Sequence, residues 1–119
     1  MPAQGNIIVC KSKKFDIEII KIYNFLRYNK HEYIMAKQLL RSGTSIGANV
    51  KEAVRGQSKA DFFAKLSIAL KEASETEYWL ELLYESGYLD KVKFSEIYKI
   101  NQELIAILVA ILKNRENCE

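Results

Sequence analysis

The sequence predicts an all-α protein folded as an antiparallel up-and-down four-helix bundle. Its 119 residues include one Pro and five Gly, so few turns interrupt the chain. Hydrophobic residues make up 49% of the composition, which is enough to bury a core in a single domain. Apolar residues recur at steps of three and four along most of the chain, which is the period of an amphipathic helix.

The first helix is predicted to begin near Ser12 and to end near Tyr28. Residues 1–11 are expected to form a tail, and residues 12–116 the bundle domain. The inner stripe of this helix consists of Phe15, Ile19, Ile22 and Leu26. His31 follows in a turn and lacks the partners that a catalytic or metal site would need.

The second helix is predicted from about Glu32 to Arg55, with two glycines inside it. Its apolar or small stripe is Leu39, Ser42, Ile46, Val50 and Ala53. Gly43 and Gly47 are four residues apart and share one face, which lets another helix approach closely. Because glycine weakens an isolated helix, the alternative is a break at Gly43-Thr44-Ser45. Asn49 is expected to donate a hydrogen bond to a neighbouring helix.

The third helix has clear signals at both ends. Ser58 is a favourable N-cap, and Asp61 stands in the capping-box position three residues later. Gly87, after Ser86, is expected to end the helix. The buried stripe between them consists of Phe62, Leu66, Ala69, Ala73, Thr76, Leu80 and Leu83. The short turn at Gly56-Gln57 makes helices two and three antiparallel neighbours.

The fourth helix, from about Lys91–Ser95 to Asn114, is apolar on more than one face. One stripe consists of Ile97, Leu104, Leu108 and Ile111. A second set consists of Ile100, Ile105, Ile107, Val109 and Leu112. A helix that is apolar nearly all round does not face water, so the second set is predicted to form an oligomer interface. The alternative is a helix that lies unusually deep in its own bundle.

The segment from Leu39 to Leu83, LLRSGTSIGANVKEAVRGQSKADFFAKLSIALKEASETEYWLELL, resembles the bacterial four helix bundle protein family. This family is also called the S23 or 23S rRNA intervening-sequence protein family, and the resemblance extends from about Phe15 to Leu112. It implies a four-helix protomer in a homopentameric ring, no enzymatic activity, and a loose association with nucleic acid. Related accessory proteins of diversity-generating retroelements work beside a reverse transcriptase.

Charge is distributed unevenly along the chain. Residues 1–59 contain 11 Lys and Arg against 4 Asp and Glu, whereas residues 60–119 contain 7 against 11. Such asymmetry is typical of a nucleic-acid-binding face, but it also fits complementary charging of neighbouring helices or subunits. The candidate basic face consists of Lys37, Arg41, Lys51, Arg55, Lys59 and Lys65. No stacking-aromatic motif accompanies it, so Tyr78, Trp79 and Tyr84 are assigned to the core or an interface.

Candidate catalytic chemistry is limited to carboxylates. Glu72 and Glu75 are expected to form structural ion pairs with Arg41 or Arg55 of the preceding helix. A di-iron site needs two Glu-x-x-His pairs, and a single His excludes it. The sequence therefore predicts no metal, no cofactor and no catalytic residues. The leading hypothesis is a non-catalytic scaffold for RNA, DNA or a nucleoprotein such as a reverse transcriptase, and the alternative is a protein–protein adaptor without nucleic-acid contact.

The expected location is the cytoplasm. Cys10 and Cys118 lack metal-ligand spacing, and a reduced state is the default for such a pair. The Ile7-Ile8-Val9 patch is too short for the apolar region of a signal peptide. The longest apolar run, residues 104–112, is too short to cross a bilayer.

Overall fold

The computed structural model describes the backbone of residues 3–115 and the side chains of residues 7–115. It contains four α-helices: α1 (Ala3–Tyr28), α2 (Ile34–Val54), α3 (Lys59–Glu85) and α4 (Lys91–Lys113). Sequential helices pack side by side, and α4 returns to pack against α1. The four-helix bundle predicted from the sequence is therefore confirmed, and α1 and α3 occupy diagonally opposite corners of it.

Helix α1 begins much earlier than the sequence suggested. The expected start near Ser12, with a tail over residues 1–11, is wrong for the described part of that segment, because the helix is continuous from Ala3. Ile8 is fully buried in the core, and Ser12 is also buried. Burial of Ile8, two turns before Phe15, extends the inner stripe of α1 and stabilises these added turns.

Helix α2 is continuous through both glycines, so the alternative of a break at Gly43-Thr44-Ser45 is excluded. Glu32 is only 8% exposed, and its carboxylate caps the start of the helix. Its Oε1 atom accepts hydrogen bonds from the N–H groups of Ile34 and Met35, at 3.0 and 2.7 Å. Those N–H groups would otherwise lack partners at a helix N-terminus.

Two further helix ends follow the sequence signals. The Ser58 hydroxyl accepts from the Asp61 N–H at 3.1 Å and caps α3. Gly87 has φ +88°, a left-handed conformation that favours glycine. Its N–H bonds to the Tyr84 carbonyl, and the Tyr88 N–H bonds to the Leu83 carbonyl. These two bonds form a Schellman motif, which ends α3 as predicted.

The glycines of α2 bring α1 and α2 close together. A Cβ atom at Gly43 would lie 2.9 Å from the Ile19 side chain. A Cβ at Gly47 would lie 2.1 Å from Asp16 Oδ2. The predicted close approach of a second helix is therefore confirmed, and α1 is that helix.

The core contains polar groups among its apolar side chains. Thr76 Oγ1 lies 3.0 Å from Ser42 Oγ and 2.8 Å from the Glu72 carbonyl oxygen, and the Thr76 and Ser42 side chains are fully buried. Asn101 of α4 is also fully buried and donates to the Ala73 carbonyl of α3 at 3.0 Å. These contacts link α2 to α3 and α3 to α4, and they favour one register of the helices over others.

Candidate nucleic-acid interface

The six predicted basic residues lie along α2, the following turn and the first half of α3. Lys37, Arg41 and Lys51 belong to α2, Arg55 begins the turn, and Lys59 and Lys65 belong to α3. The structure divides them into residues that pair with carboxylates and residues whose charges face solvent. Their ability to contact phosphate differs accordingly.

Arg41 is engaged by two carboxylates of α3. Its Nη2 atom donates to Glu75 Oε2, and its Nη1 atom lies 3.8 Å from Glu72 Oε2. The Glu72 side chain is 18% exposed, so the contact between Arg41 and Glu72 is partly shielded from solvent. Pairing of Arg41 with both glutamates matches the expected ion-pair network and ties α2 to α3.

Lys65 also connects these two helices. Its Nζ atom lies 3.1 Å from Glu52 Oε1, and both side chains are about half exposed. An exposed pair of this kind is screened by solvent and contributes little to stability. It nevertheless reduces the positive charge that Lys65 offers to a ligand.

Arg55 does not make the ion pair proposed for it. Within residues 3–115 its side chain has no salt bridge to Glu72 or Glu75. Arg55 lies beyond the last residue of α2, whereas Glu72 and Glu75 lie near the middle of α3, several helical turns away from the connection between the two helices. Antiparallel packing therefore places Arg41, and not Arg55, beside them.

Lys37, Lys51 and Arg55 are exposed, and none has an ion pair among the described residues. Lys51 and Arg55 both lie at the C-terminal end of α2, and Lys37 lies near its start. Lys59 is exposed in the first turn of α3. Lys51 and Arg55 thus form the part of the predicted basic face with the most available charge.

Two further lysines, which the sequence analysis did not include, lie on α1, and one of them, Lys14, borders the groove between α1 and α4. Lys13 and Lys14 are exposed and have no ion pair within the described chain. The early part of α1 packs along the late part of α2, as the contact of Asp16 with Gly47 shows. The positive charge of residues 1–59 was the available signal for these lysines, which fall in the first turn of helix one as the sequence predicted it.

Asn49 does not bridge two helices, contrary to expectation. Its Nδ2 atom donates to the Ser45 carbonyl of the same helix at 2.8 Å. An Asn side chain that bonds to the preceding turn is locally satisfied, so it needs no partner on a neighbouring helix.

The aromatic side chains of α3 and α4 are mostly engaged with each other. Tyr84 stacks on Phe94 with ring centroids 4.3 Å apart, and Tyr98 adjoins Phe94. The Tyr98 hydroxyl donates to Glu81 at 2.7 Å, and this bond raises the pKa of Tyr98 to about 12. Tyr78 differs because 55% of it is exposed.

The predicted interface residues of α4 are half-buried. Ile100, Ile105, Ile107 and Leu112 pack against the core and retain partial exposure, and Val109 is also half-buried. Larger apolar exposures lie elsewhere: Ile34 of α2 is 79% exposed, Val92 at the start of α4 is 66% exposed, and Ile17 of α1 is 46% exposed.

The described residues contain neither a metal-binding group of side chains nor a membrane-spanning helix. No group of three or more His, Cys, Asp or Glu side chains is arranged to hold a metal ion between residues 7 and 115. None of the described helices combines the length and apolar character needed to span a membrane.

Comparison with known proteins identifies a matching family and a similar crystal structure. Residues 4–110 match the family described as 23S rRNA-intervening sequence protein. A crystal structure from Bacteroides thetaiotaomicron VPI-5482, described as a protein with unknown function from the S23 ribosomal protein family, is 47% identical and superposes with a TM-score of 0.90. The match covers 92% of this chain and 98% of that one. No curated protein matches.

Proposed function

Because the chain belongs to the 23S rRNA-intervening sequence protein family, we propose that it is a non-catalytic, cytoplasmic accessory or scaffold protein that binds RNA or a nucleoprotein. The bundle acts as a homo-oligomer, and the pentameric ring implied by the sequence resemblance is its proposed form. The supporting observation is the exposure of Lys51 and Arg55 without ion pairs among the described residues.

The proposed binding mode is electrostatic. Lysine and arginine side chains at the end of α2 contact phosphates and release condensed counterions, which makes affinity fall with salt. The half-buried aromatic cluster of α3 and α4 supplies no open stacking platform for bases. Recognition therefore depends on charge and shape more than on sequence.

Oligomerisation strengthens this mode of binding. Lys51 and Arg55 supply only two cations at the end of α2 in each subunit, so a single copy binds a polyanion weakly through them. A ring repeats the same cations around an axis, and simultaneous contacts raise the overall affinity. Light scattering should give the mass of several chains, and the mass of one chain would contradict this part of the proposal.

The basic face is tested by charge reversal. Lys51→Glu with Arg55→Glu should weaken retention of single-stranded RNA and reduce the slope of log affinity against log salt by roughly 0.7 for each phosphate that the protein no longer neutralises. The matched control is Lys91→Glu with Lys99→Glu, which changes net charge equally on α4. Equal weakening by both variants would show that only net charge matters, and a flat salt response of the wild type would contradict nucleic-acid binding.

The second candidate function is that of a protein–protein adaptor without nucleic-acid contact. Apolar side chains exposed on α1 and α3, including Ile17 and Tyr78, favour it. Failure of the wild type to retain RNA, single-stranded DNA or heparin at low salt would favour the adaptor.

A further inference from the structure

Two tyrosines at the turn between α1 and α2 have exposed rings. Tyr28 is 67% exposed at the end of α1, and Tyr33 is 50% exposed just before α2. They differ from Tyr84 and Tyr98, whose rings pack on Phe94. Because the core does not cover the two exposed rings, their faces are available to a ligand.

Basic side chains connect these rings. The Arg27 guanidinium lies 5.6 Å from the centroid of the Tyr28 ring and donates to the Tyr23 hydroxyl at 2.9 Å. The hydrogen bond to Tyr23, together with the nearby hydroxyls of Tyr28 and Tyr33, raises the pKa of this guanidinium. The Tyr33 hydroxyl also lies 3.4 Å from His31 Nδ1. These five residues therefore form one connected group, which we refer to as the turn cluster.

The backbone holds the turn cluster in place. The Glu32 N–H bonds to the Leu26 carbonyl at 3.0 Å, and the Lys30 N–H bonds to the Phe25 carbonyl at 3.3 Å. His31 has φ 55°, a left-handed conformation in which a chain turns away from the end of a helix. Because the turn is fixed in this way, binding of a ligand would order little additional backbone.

The surroundings of the turn cluster are positive. Residues 19–51 contain six Lys or Arg and one acidic residue, Glu32. Glu32 is 8% exposed, and its carboxylate accepts from the first N–H groups of α2, so its charge is directed at that helix end. Lys30 and Lys37 are exposed and have no ion pair among the residues that the structure describes.

The turn between α3 and α4, at the same end of the bundle, is balanced in charge. It carries Glu85 and Asp90 against Lys91 and Lys93. Asp90 Oδ2 lies 3.8 Å from Lys93 Nζ, and this ammonium also lies 4.2 Å from the centroid of the Phe25 ring of α1. The excess positive charge at this end therefore belongs to the turn cluster and to α2.

Exposed rings beside cations match a ligand that has both planar groups and negative charge. Single-stranded nucleic acid has both, because its bases stack on aromatic rings while its phosphates bind Lys and Arg. A duplex offers mainly phosphates, since its bases are already stacked and paired. An acidic protein surface would match the cations but offers few planar groups for the rings.

We propose that the turn cluster is a binding site for single-stranded RNA. Bases stack on Tyr28 and Tyr33, and phosphates bind Arg27 and the adjacent Lys30. The site lies at the start of α2, whereas the cations of the function proposed above lie at its C-terminal end. The inference rests on that proposed RNA binding and adds a second contact to it. Stacking tolerates any base, so the site agrees with recognition by charge and shape.

Substitution of the two rings tests the site. Tyr28→Leu with Tyr33→Leu removes both stacking surfaces and keeps every cation. Affinity for an unstructured single-stranded RNA, measured by fluorescence anisotropy, should fall by roughly ten-fold or more. The slope of log affinity against log salt should stay unchanged, because no phosphate contact is lost. Affinity for an RNA duplex of equal length should also stay unchanged.

Three further variants separate stacking from other effects. Tyr28→Phe with Tyr33→Phe keeps the rings and should bind like the wild type. Arg27→Gln with Lys30→Gln should lower the salt slope by roughly 0.7 for each phosphate contact that is lost. The matched control is Tyr78→Leu, which removes an exposed ring of α3 outside the turn cluster and should leave affinity unchanged.

Wild-type affinity of the leucine variant for single-stranded RNA would overturn the site, as would an equal loss for the duplex or in the Tyr78→Leu control. Loss of binding to phosphatidylglycerol vesicles with unchanged RNA affinity would also overturn it and assign the cluster to a lipid surface. Circular dichroism checks folding, and the single variants Tyr28→Leu and Tyr33→Leu replace a double variant that does not fold. A wild type that retains no RNA would instead contradict the function proposed above, so the two failures are distinguishable.

Discussion

The carboxylate of Asp16 on α1 lies directly against the backbone of Gly47 on α2. Asp16 Oδ1 is buried and has no hydrogen-bond partner among the described residues. Burial raises the pKa of Asp16 from 3.8 to about 8, and the backbone of Gly47 works in the opposite direction. Burial of the carboxyl, with Oδ1 left without a partner among the described residues, outweighs the Gly47 contact, so the folded chain holds a proton on Asp16 at neutral pH.

Asp16 should make the stability of the fold depend on pH. Because the folded pKa lies above the unfolded value, the folded chain binds more protons between about pH 4 and pH 8. Its contribution to stability is fully present below the unfolded pKa and is lost as pH rises through about 8. Asp16→Asn removes this dependence and should be more stable than the wild type at pH 8.5 by about 2 kcal/mol.

Urea unfolding at several pH values between 5 and about 9 measures this effect. Glu96→Gln is the matched control, because it replaces one exposed carboxylate of α4 by an amide. If the free energies of unfolding of Asp16→Asn and of the wild type changed with pH in the same way, the Asp16 carboxylate would be solvated and the prediction would be wrong.

Gly47→Ala should destabilise the fold although alanine is the better helix former. The new Cβ would meet Asp16 Oδ2, and overpacking of this kind costs about 1–3 kcal/mol. In an Asp16→Ala background the clash is gone, so Gly47→Ala should stabilise by about 1 kcal/mol. A double-mutant cycle from urea unfolding gives the coupling, and independent effects of the two changes would contradict the contact.

The Arg41 cluster should contribute modestly to stability. Its side chain is 54% exposed, so each ion pair is screened and is worth about 0.5 kcal/mol. Arg41→Ala should lower the free energy of unfolding by about 1 kcal/mol, and less in high salt. Double-mutant cycles with Glu75→Ala and Glu72→Ala measure each pair, and the Glu75 coupling should be larger because its contact is shorter.

Thr76→Val should cost about 1–2 kcal/mol with almost no change in side-chain volume. The substitution removes the Thr76 hydroxyl, which donates to Ser42 Oγ. The buried Ser42 Oγ atom then keeps its hydrogen bond to the Leu39 carbonyl oxygen, 3.4 Å away. Ser42→Ala combined with Thr76→Val should recover part of the stability, since it also removes the buried Ser42 oxygen that has lost its Thr76 donor. Thermal or urea unfolding checks both variants, and equal stability of Thr76→Val and the wild type would rule out the bond's contribution.

Local signals in the sequence predicted most of the fold. Ser58 with Asp61 and Gly87 marked both ends of α3, because capping depends on residues close in sequence. The start of α1 was missed because Gly5 and Asn6 weaken the helix and the apolar patch around Ile8 is short. Burial against the bundle offsets that weakness, and the spacing of Ile8 from Phe15 was the available signal.

The candidate site was less predictable, because it depends on which residues become neighbours in the folded chain. Arg41 and Arg55 both resemble surface cations on one helix, and only the antiparallel packing of α3 decides that Arg41 meets the glutamates. Asp16 likewise resembles an ordinary surface acid in the sequence. Its burial follows from the absence of a side chain at Gly47, which no pattern within α1 reveals.

The four contacts between neighbouring helices of the bundle differ in extent. Helices α2 and α3 make the most extensive contact, whereas α1 and α4 make the least and leave the groove between them. Amide hydrogens should therefore exchange with solvent deuterium sooner along the groove side of α1 and α4 than in the hairpin of α2 and α3. We expect the hairpin to unfold last, so that detachment of α1 would leave a residual structure in which Gly43 and Gly47 become accessible to solvent.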